Sequence, residues 1–129
     1  MTPSSGNAWF GPRVIFPFAC LMMVSGIGMA ALAAHAGAGA ELATAATLLL
    51  ANAPMLAAAG LALALGLMRP NLGRLGAGLA FVGTILFAAD MTRRGFGHGA
   101  LFVDAAPIGG TLDMVGWLVV AIASLSGKR

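Results

Sequence analysis

Asp113 is the residue with most chemistry open to it, a carboxyl group inside an otherwise apolar run from Pro107 to Ser126. Read as a helix, that run places Asp113 about 9 Å from its start, at 1.5 Å per residue. A charged Asp at the centre of a membrane helix is penalised by about 2.5–3.5 kcal/mol on insertion scales, so its side chain must face protein or water. Two roles fit such a residue. One is a proton or ligand site, and the other is a hydrogen-bonded lock between helices, to Asn52, Thr111 or an arginine. Helical spacing puts Gly109, Gly116 and Trp117 on the same face, with Gly110 beside them, and small residues let a neighbouring helix come close. Gly76 and Gly83 form a similar face on the preceding apolar run and lead to Asp90.

The other polar residues suit structural work. Asp90 ends its run beside Arg93 and Arg94 and can pair with either. Asn52 and Pro54 fall near the middle of another run, where they read as an interhelical hydrogen bond and a bend, since proline removes one backbone hydrogen bond. His35 closes the first run, where an imidazole suits the negative end of a helix and can meet its last carbonyls. Together His35, Asn52, Asp90 and Asp113 make the candidate intramembrane or outer-end polar cluster. Haem held between His35 and His98 is a weaker reading, because His98 stands in a Gly-rich loop. No nucleophile–base pair, CxxC, HExxH or phosphate-binding glycine loop ending in Lys occurs. Gly95-Phe-Gly-His-Gly99 follows an apolar run rather than a strand, so it is no nucleotide fingerprint. No catalytic residue, metal site or cofactor is expected.

The elements that must position these residues follow from composition. Of 129 residues, 60% are hydrophobic and 9% charged, against about 25% charged in soluble domains. Ala, Leu, Gly and Met dominate and Tyr is absent, which favours helices over the alternating strands of a membrane barrel. A membrane helix needs about 20 mostly apolar residues, and four stretches qualify: 14–36, 42–68, 72–91 and 107–126. They leave too little chain for a second core, so residues 1–129 read as a single transmembrane domain. A secretory leader cut near Ala34-His35-Ala36 is the weaker reading of the first stretch, because signal cores run to roughly 7–15 residues. Cys20 lies inside that stretch and reads as a small apolar side chain.

Basic residues set the orientation. Arg13, Arg69, Arg74, Lys128 and Arg129 fall on one side of four crossings, and Arg93 and Arg94 on the other. That balance predicts both termini in the cytoplasm. Glu41, Asp90, Asp104, Asp113, His35 and His98 would then gather toward the outer end. Trp9 suits an interfacial anchor on the cytoplasmic side. Trp117 lies too deep for that and should pack against a helix, one from another protein included. The basic residues form no stripe with interleaved aromatics, so nucleic acid is not an expected partner.

Three segments carry a family resemblance: Pro107-Ile108-Gly109-Gly110 with Gly116-Trp117, then Gly83-Thr84-Ile85-Leu86-Phe87, then Ala33-Ala34-His35. Taken together they resemble the small, four-span inner-membrane family of unknown function typified by the bacterial YgdD protein. The resemblance implies a multi-pass protein of the bacterial inner membrane, and it implies no established biochemistry. This chain departs from the family pattern at Ala30 and Ala33, where glycines are favoured. It departs again around Leu49–Pro54, where the family has a Tyr and a His, and after Phe87, where Ala88, Ala89 and Asp90 replace Ser-Gly-Ser.

The sequence thus predicts an all-α four-helix transmembrane bundle without enzymatic activity. Its expected partners are the lipid bilayer and other membrane-protein subunits, as an accessory or assembly component of a respiratory or photosynthetic complex. The alternatives are a small proton-coupled transporter or channel using Asp113, or a haem- or quinone-binding subunit. Four-span multidrug exporters fit poorly, because their essential carboxylate lies in the first span and residues 14–36 contain none.

Overall fold

A computed structural model describes residues 10–35, 37 and 39–127. Trp9, Lys128 and Arg129, which entered the anchor and orientation expectations, lie outside the described residues. Four helices follow one another: α1 Pro12–His35, α2 Gly39–Ala64, α3 Pro70–Gly95 and α4 Ala105–Leu125. Each is long and apolar enough to cross a membrane. With 24, 26, 26 and 21 residues, they are about 31–39 Å long at 1.5 Å per residue, against a hydrocarbon core of about 30 Å.

Helix ends are set by backbone chemistry more than by hydropathy. Pro12 and Pro70 stand at the first positions of α1 and α3, where the missing N–H is not needed. The second expected span ran to Met68, but α2 stops at Ala64. Gly66 adopts φ 72°. Its N–H donates to Leu63 O at 3.2 Å and that of Leu67 to Ala62 O at 2.9 Å, the paired bonds of a Schellman cap. Leu65–Met68 are apolar enough to continue the span, yet the glycine ends the helix first. At the far end of α3, Gly97 (φ 82°) makes the same cap, with bonds of Gly97 N to Arg94 O at 2.9 Å and His98 N to Arg93 O at 3.1 Å. Helix α3 therefore ends at Gly95, four residues past the expected end at Met91, and takes in Arg93 and Arg94, where cations suit the helix dipole. Helix α2 continues through Pro54 without a break.

The closest helix pairs are α3 with α4 and α1 with α2, and α2 also packs on α3. Ile15, Ala19, Met22 and Gly26 of α1 are buried, as are Leu49, Leu56 and Gly60 of α2. A β-carbon on Gly60 would meet Ile15 Cγ2 at 2.9 Å, and one on Gly26 would meet Leu50 at 2.8 Å. The α3–α4 contact is a seam of small residues, Gly76, Ala80 and Gly83 against Gly109, Gly116 and Ala123. Around these pairs the outer surface is apolar. Phe16, Leu21, Val24 and Ile27 of α1, and Met114, Leu118, Ile122 and Leu125 of α4, are all exposed. In water such a surface would drive aggregation, whereas hydrocarbon is its natural solvent.

Candidate functional site, a polar cluster in the middle of the bundle

The α3–α4 seam is what buries Asp113. On α4 the buried positions Gly109, Asp113, Gly116, Val120 and Ala123 follow 3–4 spacing and face α3. A β-carbon on Gly83 would strike the backbone N of Asp113, and one on Gly116 the backbone N of Ala80. A β-carbon on Gly109 would come within 2.7 Å of Phe87 N, and one on Gly76 within 2.8 Å of Val120 N. Backbones this close leave no room for side chains. Gly110 is different, because an added β-carbon would meet only Phe87 Cδ2 at 3.8 Å. It stands beside the seam and not within it.

Asp113 is 6% exposed, as is Asn52, and Thr84 is fully buried. Asn52 bridges α2 to α4. Its Nδ2 donates to Asp113 Oδ2 at 3.1 Å and to Leu48 O at 3.0 Å, while its Oδ1 accepts from Trp117 Nε1 at 2.6 Å. Both donors and the carbonyl of Asn52 are thereby engaged. Thr84 Oγ1 donates to Ala80 O at 2.8 Å and lies beside Asp113 as an alternative donor. One hydroxyl proton cannot serve both acceptors, and with Thr84 turned to Ala80, Asp113 Oδ1 is buried without a partner.

The cluster lies deep. Asp113 stands about 12 Å along an α4 of about 31 Å, Asn52 about 20 Å along an α2 of about 39 Å, and Thr84 about 21 Å along α3. The gathering of polar residues at one end, expected from the sequence, is thus corrected, for two separate groups exist. Asn52 and Asp113 meet near the middle of the bundle, with Thr84 and Trp117. Asp90 belongs to the second group. It is fully buried at the far end of α3, accepts from Arg94 Nε at 2.8 Å through Oδ2, and accepts the backbone N–H of Leu101 at 2.8 Å through Oδ1. Arg93 Nε donates to Gly99 O at 2.9 Å. Asp90 and Arg93 thereby fasten the α3–α4 loop to α3. His35 joins neither group. Its exposed ring makes no hydrogen bond among the described residues, so the expected carbonyl cap does not form. His98 is also exposed, in the α3–α4 loop.

Other sequence expectations are settled by the same geometry. Thr111 does not serve Asp113, since its hydroxyl donates to Pro107 O at 2.8 Å. Trp117 packs within the chain, where its Nε1 donates to Asn52 of α2. Thr84 is a cluster member that sequence alone does not mark. Its signal, one polar β-branched residue directly after a seam glycine, becomes legible only once α3 is known to face α4. Among the described residues no group of three or more His, Cys, Asp or Glu is placed to hold a metal ion.

Fold and cluster define a class: a multi-pass α-helical membrane protein with a buried polar network at its centre. No family model, curated protein or solved structure matches the chain.

Proposed function

We propose that this chain is a non-enzymatic membrane subunit that packs through α2 against a helix of a larger membrane complex, as an accessory or assembly component. The observation that carries this reading is the outward face of α2. Ala40, Thr44, Thr47, Ala51, Pro54 and Ala58 are all exposed and follow alternating spacings of four and three. Met55 is the single large apolar side chain exposed along that stretch. The outward faces of α1 and α4, by contrast, carry Phe, Leu, Val, Ile and Met, as lipid contact favours. Small residues at helical spacing let helices pack closely in membranes, where apolar burial gives no drive to associate. Thr44 and Thr47 donate to Ala40 O at 2.8 Å and Ala43 O at 2.9 Å, so their hydroxyls are satisfied and their methyl groups are free to make contact.

Three shallow grooves between α1 and α2 lie beside this face along the length of the two helices. Ala30, Ala34, Ala43 and Thr47 line one end, Cys20, Met23, Pro54 and Ala57 the middle, and Pro12, Phe16, Ala58 and Leu61 the other end. The resemblance to the YgdD-like family and the balance of basic residues support a bacterial inner membrane with both termini in the cytoplasm. A respiratory or photosynthetic complex is the host this reading favours.

Native mass spectrometry after mild extraction from source membranes tests the proposal. The expected species contains this chain with other subunits, and Thr47→Leu with Ala51→Leu releases it. A lone monomer or simple homodimer from those membranes would overturn the reading.

One observation favours a second reading, proton-coupled transport, namely the unpartnered Asp113 Oδ1 near mid-membrane. Against it, none of the surface grooves described above is lined by Asp113. If Asp113→Asn preserved assembly but abolished proton-coupled flux in liposomes, transport would replace packing as the better account.

A further inference from the structure

One end of the bundle is basic and holds no acid among the described residues. Arg13 opens α1, and Arg69 and Arg74 stand at the start of α3. Glu41, Asp90 and Asp104 belong to the other end, and Asp113 to the middle. The ion pair Arg94–Asp90 engages none of these three arginines, and Arg74 Nε is buried without a hydrogen-bond partner.

At this basic end two depressions adjoin. One, of about 470 Å³, is lined by Arg69, Pro70, Asn71, Leu72 and Leu75. The other, of about 440 Å³, lies between α1 and α3 and is lined by Phe10, Phe18, Leu75, Gly78, Phe81 and Val82, among others. Leu75 belongs to both, so a polar mouth opens directly onto an apolar trough. The trough wall is firm, because Phe18 and Phe81 pack with ring centroids 4.9 Å apart and Phe10 lies 5.8 Å from Phe81.

We infer that this continuous groove is a binding site for an anionic glycerophospholipid of the adjacent leaflet. Its phosphate meets Arg69 and its acyl chain lies along Leu75, Gly78 and Val82. Length supports the assignment. From Arg69 to Val82 is about 20 Å along α3, and half a bilayer including its headgroups is about 20–22 Å. The groove thus begins at headgroup depth and ends near the midplane. Charge supports it equally, because Arg69 at the mouth has no ion-pair partner among the described residues and no Asp or Glu lies at that end among them, and guanidinium matches phosphate geometry. The lining supports it as well, since Gly78 adds no side chain to the trough wall.

The experiment is lipid retention. Purified full-length protein is delipidated, exposed to equimolar phosphatidylglycerol and phosphatidylcholine of matched chains, and weighed by native mass spectrometry. Phosphatidylglycerol is expected to be retained preferentially. Arg69→Gln should lower that preference about five-fold, the order expected for one basic residue at an anionic surface. Gly78→Phe should reduce retention of the lipid while leaving the arginines in place. Val82→Trp, at an exposed position, supplies the same obstruction should Gly78→Phe misfold, with circular dichroism reporting the helices. Glycerol 3-phosphate, which has the headgroup phosphate but no acyl chain, should not compete. Equal retention of the two lipids, unchanged preference in Arg69→Gln, or full retention in the obstructed variants would overturn the assignment.

Discussion

Trp117 Nε1 donates to Asn52 Oδ1 at 2.6 Å, across 65 residues of sequence and from α4 to α2. Helices α2 and α4 are not among the closely packed backbone pairs, so these side chains, with Asp113, are their main polar link. An Asn in hydrocarbon has four hydrogen-bonding positions to satisfy. Here one amide N–H fastens to its own helix, while the second N–H and the carbonyl oxygen each bond to the last one.

Trp117→Phe keeps the ring and removes the donor. In a double-mutant cycle with Asn52→Leu, the coupling should fall near the membrane average of about 0.6 kcal/mol and not exceed about 1.7 kcal/mol. Reversible unfolding in detergent or by steric trapping reads it. Zero coupling would mean that the bond does not persist in the bilayer.

The seam predicts opposite outcomes for neighbouring glycines. Gly83→Ala and Gly116→Ala each direct a methyl group at backbone, and should destabilise the fold by about 1–3 kcal/mol, the range for overpacking. Gly110→Ala meets only ordinary contact at Phe87 and should stay within about 0.5 kcal/mol of the parent. The same unfolding assay separates them, and equal effects at Gly83 and Gly110 would contradict the close approach.

Asp90→Ala should free the α3–α4 loop while leaving the bundle intact. The Leu101 amide loses its carboxylate acceptor, a hydrogen bond of a kind worth about 1.5–3 kcal/mol. Hydrogen exchange at Leu101 should therefore rise about ten-fold or more, and proteolysis within 96–104 should quicken. Asn52 and Thr84 should keep their protection.

Cysteine labelling tests the proposed orientation. With Cys20 replaced by alanine, a cysteine at His98 should react with an impermeant thiol reagent in intact cells, and one at Asn71 only after the membrane is opened. The reverse pattern would place the termini outside.

The number and course of the helices were legible in the residues, because hydrocarbon thickness is a simple requirement and four stretches meet it. Burial of Asp113 was legible for the same reason, as was a close-packing face made by Gly76, Gly83, Gly109 and Gly116. The end of α2 was legible in principle from Gly66, yet hydropathy alone hid it, since Leu65–Met68 are as apolar as the helix before them.

Partnership was decided only in three dimensions. Period and composition show that a helix has a small-residue face but not which neighbour will meet it, and α2, α3 and α4 each carry one. The fold sets the α3 and α4 faces against each other, so the glycines that could have received another protein lie inside this one. The Ala/Thr face of α2 is left outward instead. Likewise, the sequence required Asp113 to be sheltered, but a choice among Asn52, Thr111 and an arginine turns on helix rotation. A turn of one residue, about 100° on a 3.6-residue helix, replaces one set of neighbours with another. The packing of backbone on backbone along Gly76, Gly83, Gly109 and Gly116 fixes that angle.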